Sequence, residues 1–337
     1  MRIGINGFGR VGRCALRSAF ESGARVEWAG INDVAGAAAL AHLLRRDTVY
    51  GPFPGEGAVR GDSIVVDGIE IPVYDETDPS GIPWDALGAE VVLECTGKFR
   101  NRVDAAKHLD AGAKKVIVSA PGKDVDVTLV RGVNEDAYDP AVHHVISNAS
   151  CTTNCLAPVA KVLSDEFGVR HGTMTTIHAV TGDQRVVDLP HKDLRRARAA
   201  GANIVPTSTG AAKAIGLVLP ELAGKLHGIA ARVPVLTGSL VDLTVELAHP
   251  TVATELNLAF GEAAREGLEG ILQLSHEPLV SSDVVKSPYS AVVDGELTTV
   301  TAGTQAKVVA WYDNEWGYAT RLVELAQRVL VPLPAVA

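Results

Sequence analysis

The first third of the chain alternates short apolar runs with longer amphipathic ones. The apolar runs "RIGIN" (residues 2–6) and "RVEWAGIN" (25–32) are typical of buried strands, and residues 10–22 between them have the apolar spacing of a helix. Two further apolar runs, 91–97 and 114–121, are bounded by glycine or proline and predict later strands. This alternation is the βαβ pattern of a doubly wound parallel sheet, so the sequence predicts a Rossmann-type α/β domain.

The pattern changes after residue 150. Strand-like runs at 172–180, 227–235 and 239–247 are rich in valine and threonine, and residues 253–267 form an amphipathic helical pattern. These features predict a second, α+β domain with a mostly antiparallel sheet. The last helical pattern, 316–330, is followed by few residues, and we expect this helix to pack against the first domain. The predicted boundaries are 1–150 with 314–337 for the first domain and 151–313 for the second.

Composition and charge restrict the class of protein and the partners that we expect. The 337 residues are 47% hydrophobic and 21% charged, which indicates a globular protein, and no apolar stretch approaches the roughly 18 residues of a membrane span. The N-terminus lacks the apolar core of a signal peptide, so we expect a cytoplasmic protein without a membrane partner. A net charge of −9, spread along the chain, argues against a nucleic-acid surface. In a reducing cytosol the 4 irregularly spaced cysteines are not expected to form disulfides.

A glycine-rich turn joins the first predicted strand to the first predicted helix. Gly7, Gly9 and Gly12 form a G-x-G-x-x-G motif there, and Asp33 follows the second strand. In this context glycines let the backbone approach a pyrophosphate at a helix N-terminus, and the acidic residue binds a ribose diol. The alternative is a tight turn without a ligand. Because Asp33 would repel a 2′-phosphate, the motif favours NAD over NADP.

The stretch "SNASCTTNC", residues 147–155, contains two of the cysteines. Apolar residues recur at helical spacing after Cys151, which predicts a helix that begins near it. The free N–H groups of such an N-terminus would stabilise a thiolate and lower the pKa of Cys151. Cys155, one turn later, is expected to face the core. No second Cys or His pair stands nearby at zinc-ligand spacing, so we predict no metal site and retain a nucleophile or an inert buried thiol as the alternatives.

His178 is the second candidate for chemistry. It lies near the end of a strand-like run and should emerge where that strand meets a loop. A histidine there is often structural, but with a cysteine at a helix start in the same chain it becomes a candidate base and thiolate partner. The chain also carries hydroxyl, helix-start and guanidinium groups of the kind that bind phosphate: Thr209, Gly210, Arg196 and Arg232.

Six stretches together resemble the phosphorylating glyceraldehyde-3-phosphate dehydrogenases. They are "INGFGRVGR", "SNASCTTNCLAP", "TTIHAVTGDQ", "PTSTGAAKA", "PELAGKLHGIAARVP" and "WYDNEWGY", in the order in which the family has them. The similarity runs from the first residue nearly to the last, and "SNASCTTNC" is highly specific. The resemblance implies oxidation of glyceraldehyde 3-phosphate to 1,3-bisphosphoglycerate, with inorganic phosphate as the second substrate and NAD as the cofactor.

The resemblance also implies roles for individual residues. Cys151 would form a thiohemiacetal and then a thioester, while His178 would hold the thiolate, assist proton removal and stabilise the oxyanion. The attacking phosphate would contact Ser150, Thr152, Thr209 and Gly210, and the substrate's own phosphate would contact Thr181, Arg196 and Arg232. The cofactor contacts would be Gly7, Gly9, Arg10, Val11, Gly12, Asp33, Ser119 and Asn314, with Asn314 orienting the nicotinamide carboxamide. The family is typically homotetrameric, with the loop around "DLPHKDLRRAR" at a subunit interface.

Some positions depart from the usual family pattern. Val235–Thr237 follow Pro234 where Thr-Pro-Asn is usual, at the expected wall of the substrate site. Thr77 and Arg100 are unusual near the expected adenosine end of the cofactor. These changes keep alternatives open: an erythrose-4-phosphate dehydrogenase, a catalytically weak NAD-binding redox sensor, or a copy that resists an electrophile aimed at Cys151. A sensor would need neither set of phosphate-binding residues, which argues against that alternative.

Overall fold

The chain folds into two compact units, as a computed structural model describes for residues 1–330. Among the described residues, the first unit comprises Met1–Leu129, Glu135–Ala149 and 319–330, and the second comprises Val130–Asn134 and Ser150–Tyr318. The predicted functional domains, 1–150 with 314–337 and 151–313, stay predictions. Of these ranges, 314–318 fall in the second unit, and 331–337 lie outside the described residues. Within residues 1–330, no helix is both long and apolar enough to cross a membrane.

The first unit contains a twisted sheet with helices between its strands. Its strands are β1 (Arg2–Asn6), β2 (Glu27–Asn32), β3 (Arg46–Asp47), β4 (Gly51–Pro52), β5 (Ala58–Arg60), β6 (Ser63–Val66), β7 (Ile69–Tyr74), β8 (Val91–Glu94), β9 (Lys115–Val118), β10 (Val127–Thr128) and β11 (Val145–Ser147). Its helices are α1 (Arg10–Ser22), α2 (Ala37–Arg45), α3 (Trp84–Leu87) and α4 (Arg102–Asp110), with 3₁₀ turns at Pro79–Gly81 and Glu135–Ala137.

The main sheet of this unit has the strand order β10-β11-β9-β8-β1-β2-β7-β6-β5. Pairing is parallel from β10 to β7 and antiparallel at β6 and β5, while β3 and β4 form a separate ribbon. The central strands β8 and β9 are buried along their whole length, because helices cover both faces of a parallel sheet. The predicted doubly wound sheet is therefore confirmed, and its apolar runs are explained by burial on both faces.

The second unit is built on a mixed sheet. Its helices are α5 (Cys151–Phe167), α6 (Ala211–Val218), α7 (Ala253–Glu266) and the start of α8 (Trp316–Arg328), with a 3₁₀ turn at Pro220–Leu222. Its strands are β12 (Val169–His178), β13 (Val205–Ser208), β14 (Leu226–Arg232), β15 (Ser239–Leu247), β16 (Leu272–Ser275), β17 (Ala291–Asp294), β18 (Thr299–Thr301) and β19 (Gln305–Tyr312).

The strand order of this sheet is β13-β14-β12-β15-β19-β17-β16, with β18 paired to β19. The β12–β14 and β16–β17 pairs are parallel and the others are antiparallel, which confirms the predicted mostly antiparallel sheet. Strand β15 alternates buried and partly buried residues, as expected of a strand with one face on the core. Helix α5 packs on β12, β15 and β19, so its first residue lies near the ends of these strands.

Candidate active site

Cys151 is the first residue of α5, as the apolar spacing predicted. Ser150 caps this helix, because its Oγ accepts a hydrogen bond from the Thr153 N–H at 3.0 Å. The capped start leaves Cys151 in the first turn, where backbone N–H groups lack helical acceptors. Cys155 is fully buried one turn later, and its Sγ lies 3.7 Å from the Ala310 carbonyl oxygen. The two cysteines therefore have different surroundings despite their spacing of four.

His178 ends β12 beside this helix start. Its Nε2 lies 3.4 Å from the Cys151 Sγ, and its side chain is 97% buried, with 3% exposed. The parallel register of β12 with β14 pairs His178 with Arg232. On the other side of the ring, Nδ1 lies 2.8 Å from both the Ala179 carbonyl oxygen and the Arg232 Nη1. Since Nδ1 faces one acceptor and one donor, either neutral tautomer of His178 has a partner there.

Burial and the charge of Arg232 oppose each other in setting the pKa of Cys151 and reinforce each other in setting the pKa of His178. Burial raises the pKa of the Cys151 thiol, and the Arg232 guanidinium and the backbone N–H groups at the start of α5 offset only part of this. Burial, reinforced by Arg232, lowers the pKa of His178, so its imidazole is neutral at neutral pH. The expectation that the helix N-terminus would lower the thiol pKa is thus wrong, because desolvation outweighs it. Proton removal from such a thiol requires a base in contact, and the neutral His178 is the predicted one.

The predicted ligands of the substrate phosphate, Thr181, Arg196 and Arg232, form one cluster. The Arg232 Nη1 donates to the Thr181 Oγ1 at 3.3 Å. The Asp183 carboxylate accepts short hydrogen bonds from the Thr181 hydroxyl and the Arg196 guanidinium. Partial burial raises the pKa of Asp183, but the Thr181 hydroxyl and the nearby guanidinium groups lower it by more. This cluster is therefore a partly buried cationic site that a carboxylate of the chain already contacts.

The predicted ligands of the attacking phosphate lie at two helix starts. Ser150 and Thr152 belong to the first turn of α5, and Thr209 and Gly210 immediately precede α6, which packs against α5. The Thr209 Oγ1 accepts from the Ala211 N–H at 3.2 Å, and Gly210 is exposed. The Thr152 side chain is 4% exposed, so its hydroxyl faces the interior.

Sequence reasoning missed two side chains at this site. The Tyr312 hydroxyl, at the end of β19, lies 2.9 Å from the Oγ1 atoms of both Thr152 and Thr176, and its ring meets His178 edge-on with centroids 6.0 Å apart. Asp183 is the other, and its place two residues after Thr181 was the available signal. Tyr312 had no local signal, because strand pairing alone brings it to α5.

The unusual segment Val235–Thr237 has a structural role as well as a predicted place in the substrate wall. The buried Thr237 hydroxyl donates to the Asp313 carboxylate at 3.0 Å and lies 3.3 Å from the Asn314 Oδ1. The Ser239 hydroxyl donates to the same Asn314 Oδ1 at 2.8 Å. With its oxygen held in this way, the Asn314 amide presents its Nδ2 as a donor, which suits the predicted contact to a carboxamide oxygen.

The glycine turn of the first unit fits a dinucleotide. Gly7 has φ +90°, and a Cβ there would come within 2.6 Å of the Thr96 nitrogen. A Cβ on Gly12 would lie 2.4 Å from the Gly7 carbonyl oxygen, so this glycine permits close packing of α1 on the turn. Gly9 precedes α1, and a Cβ there would meet nothing within 4 Å. The space beside Gly9 and the N-terminus of α1 therefore suit a pyrophosphate.

The other predicted cofactor residues surround this turn. The Asp33 carboxylate accepts from the Phe8 and Ala35 N–H groups at 2.7 and 3.0 Å and lines a cavity of about 210 Å³ with Gly7 and Gly9. Arg10 and Val11 begin α1, and Ser119 directly follows β9. The Arg10 side chain forms a short ion pair with Asp47, so its part in cofactor binding would be through the helix start. A larger cavity, about 460 Å³, lies beside α1, β2 and β7 and contains none of the predicted site residues.

Two glycine variants should separate stability from binding. We expect Gly7→Ala to lower the free energy of unfolding by about 2 kcal/mol or more, because its positive φ and its contact with the Thr96 backbone both disfavour a side chain. Gly9→Ala, with φ −71° and open surroundings, should keep the stability and weaken dinucleotide binding. Urea unfolding and a binding titration measure the two effects. Equal stability losses in both variants would contradict this assignment.

Comparison with known proteins agrees with these features. The family model "Glyceraldehyde 3-phosphate dehydrogenase, NAD binding domain" matches residues 1–102, and the model "Glyceraldehyde 3-phosphate dehydrogenase, C-terminal domain" matches residues 150–314. The glyceraldehyde-3-phosphate dehydrogenase of Streptomyces coelicolor is 56% identical over 96% of this chain and 97% of its own length. That of Geobacillus stearothermophilus is 55% identical, and glyceraldehyde-3-phosphate dehydrogenase 1 of Bacillus subtilis is 56% identical, each over 97% of both chains. The chain therefore belongs to the glyceraldehyde-3-phosphate dehydrogenase family.

Proposed function

We propose that this protein oxidises glyceraldehyde 3-phosphate to 1,3-bisphosphoglycerate, with reduction of NAD and uptake of inorganic phosphate. The observation that carries the proposal is the 3.4 Å approach of the Cys151 Sγ to the His178 Nε2, at a capped helix start next to an anion-binding cluster. A thiol nucleophile, a neutral base and guanidinium groups are the components that acyl transfer on a phosphorylated aldehyde requires.

In the first half of the reaction His178 removes the proton of Cys151. The thiolate then forms a C–S bond to the aldehyde carbon, and the carbonyl π electrons become the oxyanion of a thiohemiacetal. The protonated Nε2 of His178 and the backbone N–H of Cys151 donate to this oxyanion and stabilise it. His178 can act as the base when its proton is on Nδ1, which then donates to the Ala179 carbonyl oxygen, and the same hydrogen bond holds the imidazolium that donates from Nε2.

In the second half the thiohemiacetal becomes a thioester. The imidazolium of His178 first gives its proton to the oxyanion, and the neutral imidazole takes it back as the carbonyl reforms; bound NAD would supply the hydride acceptor for this oxidation. An oxygen of inorganic phosphate then attacks the thioester carbon, the C–S bond breaks, and Cys151 leaves as a thiolate. We assign Ser150, Thr152, Thr209 and Gly210 to this phosphate, and the glycine turn, Arg10, Val11, Asp33, Ser119 and Asn314 to the cofactor.

The phosphate of the aldehyde itself is assigned to Thr181, Arg196 and Arg232. We expect Arg196→Gln to raise the KM for glyceraldehyde 3-phosphate about tenfold or more, because a charged hydrogen bond to phosphate is lost. Steady-state kinetics at saturating NAD and phosphate measure this. The matched control is Arg198→Gln in the same loop, where an exposed guanidinium pairs with Asp188. Equal KM changes in both variants would refute the assignment.

The defining experiment is NADH formation by the purified protein with glyceraldehyde 3-phosphate and NAD, with and without inorganic phosphate. Sustained turnover that requires phosphate, together with an acyl phosphate product, is the expected result. A single burst without phosphate, followed by turnover when phosphate is added, would report the thioester. Turnover that is independent of phosphate would contradict a phosphorylating reaction.

The relatives reported above do not favour the erythrose-4-phosphate or redox-sensor alternatives. A cytoplasmic location stays a prediction from the N-terminal sequence and the composition, and a homotetramer stays a prediction from the resemblance. An interface at the loop 182–198 is supported by its exposed large apolar side chains, Val186, Val187, Leu189 and Leu194. Light scattering after size exclusion would measure the oligomeric state.

A further inference from the structure

A row of polar side chains crosses the parallel sheet of the first unit. Asn32 on β2, Asn6 on β1 and Glu94 on β8 are register partners at the carboxyl ends of these neighbouring strands. Their exposed fractions are 3%, 1% and 1%. Buried polar groups are costly unless each finds a hydrogen-bond partner, so the arrangement within this row is constrained. Asn6 and Asn32 also line the 210 Å³ cavity beside the glycine turn.

The hydrogen bonds of this row run in one direction. The backbone of Glu76 orients the Asn32 amide, since its N–H donates to Oδ1 at 2.8 Å and its carbonyl oxygen accepts from Nδ2 at 2.9 Å. The Asn32 Nδ2 also donates to the Asn6 Oδ1 at 2.8 Å. The Asn6 amide nitrogen is therefore turned towards Glu94 and donates to its Oε2 at 2.6 Å. At the position of Glu94, therefore, only a hydrogen-bond acceptor can pair with the Asn6 amide nitrogen.

Glu94 meets donors on its other sides as well. The indole N–H of Trp84 donates to the His108 Nδ1 at 3.0 Å. Because an indole can only donate, the proton of the neutral imidazole is on Nε2, which lies 3.1 Å from the Glu94 Oε2. The Glu94 Oε1 accepts from the Thr96 N–H at 2.8 Å and, through a short hydrogen bond, from the Thr96 hydroxyl. Both carboxylate oxygens are thus surrounded by donors.

We propose that Glu94 is a positioning residue for cofactor binding. Its carboxylate, which can only accept hydrogen bonds, holds the Asn6 amide and the N–H and hydroxyl of Thr96 in the arrangement that receives the adenosine half of NAD. This rests on the proposed function, in which NAD occupies the cavity that Asn6, Asn32 and Thr96 line. The Thr96 Oγ1 in turn accepts from the Lys98 N–H at 3.0 Å, and Lys98 lines the same cavity. Glu94 acts on the cofactor through these neighbours.

The substitution Glu94→Gln tests this because it preserves the shape of the side chain and replaces a charged, acceptor-only group by a neutral amide that must donate on one side. In one orientation the new amide nitrogen faces the donors of Asn6 and His108, and in the other it faces the donors of Thr96. We expect the Kd for NAD, measured by calorimetry, to rise about tenfold, as one unsatisfied buried group implies. The kcat at saturating NAD should stay within about twofold, which separates binding from the chemistry at Cys151. Glu90→Gln, a partly exposed carboxylate paired with Lys114, is the matched control and should leave the Kd unchanged.

A double variant provides the rescue. In Asn6→Asp with Glu94→Gln, the amide at position 94 donates to the carboxylate at position 6. That carboxylate also accepts from the Asn32 amide and from the His108 N–H, which lies 3.3 Å from the Asn6 amide nitrogen in the wild type. The donors of Asn32 and of the amide at position 94 then face acceptors again, while the His108 N–H, 3.1 Å from that amide nitrogen, keeps only the longer contact, so the Kd should recover most of the roughly tenfold loss. Wild-type affinity in Glu94→Gln, or no recovery in the double variant, would overturn the proposal.

Thermal unfolding without NAD distinguishes a failure of the positioning role of Glu94 from a failure of the proposed function. Glu94→Gln should unfold at a lower temperature than the wild type, and the double variant should recover, whether or not NAD binds. If the wild type bound no NAD, the proposed function would fail and the positioning role would fail with it. The unfolding temperatures of the variants would then still show whether the hydrogen bonds of the row stabilise the protein. If the wild type binds NAD and the Kd values follow the expected order, the positioning role stands, and phosphate-dependent turnover decides the proposed function.

Discussion

Cys151→Ser abolishes NADH formation, with a loss of about four orders of magnitude in kcat, if Cys151 is the nucleophile. A serine hydroxyl is a far weaker acid than a thiol, and the neutral His178 that removes the thiol proton cannot generate an alkoxide at a useful rate. The thioester that phosphate attacks would also be replaced by a more stable ester. The measurement is turnover with saturating aldehyde, NAD and phosphate, beside NAD binding by calorimetry.

Cys155→Ser is the matched control for this loss. Cys155 lies one turn along the same helix, is fully buried, and has its pKa raised well above the usual value by burial. It should therefore retain most of the activity, apart from any loss of stability from placing a hydroxyl in an apolar environment. Comparable inactivation of the two variants would show that disruption of α5, and not removal of a nucleophile, explains the effect. NAD binding should survive in both proteins.

His178→Asn has the second largest expected effect, a loss of about 10² to 10³ in kcat, because general base catalysis and an oxyanion donor disappear together. The variant should also change the thiol chemistry. Burial raises the pKa of Cys151, and removal of the imidazole 3.4 Å away takes the base that accepts its proton. The rate of alkylation of Cys151 should therefore fall at neutral pH, and its midpoint should move to higher pH.

The pH profile of alkylation by iodoacetamide measures this shift directly. His171→Asn, on the same strand β12 but exposed to solvent, is the control and should leave both profile and turnover unchanged. Several charged or titratable groups face the thiol besides His178: Arg232 from β14, Tyr312 from β19 and Cys155 from α5. Because Arg232 lowers the thiol pKa, its replacement by Gln should also move the midpoint upwards. An unchanged kcat in His178→Asn would contradict the role of base.

Local sequence determined the parts of this protein that depend on short-range physics. The glycine turn follows from the positive φ at Gly7 and the close packing at Gly12, and both are properties of a few neighbouring residues. The helix after Cys151 was visible because apolar spacing reports one buried face. The fold class followed from the same periodicities, since continuous apolar runs and alternating runs distinguish the two sheets.

Only the tertiary structure decided how these pieces act on each other. The register of β12 with β14 places Arg232 at the His178 Nδ1, and the pairing of distant strands brings Tyr312 to α5. The direction of the Cys151 pKa could not be read from its helix position, because burial depends on everything packed around it and outweighed the helix N-terminus. The row of polar side chains formed by Asn32, Asn6 and Glu94 could not be read from the sequence for the same reason. The direction of its hydrogen bonds depends on contacts between strands that lie far apart in the chain, and local periodicity does not encode such contacts.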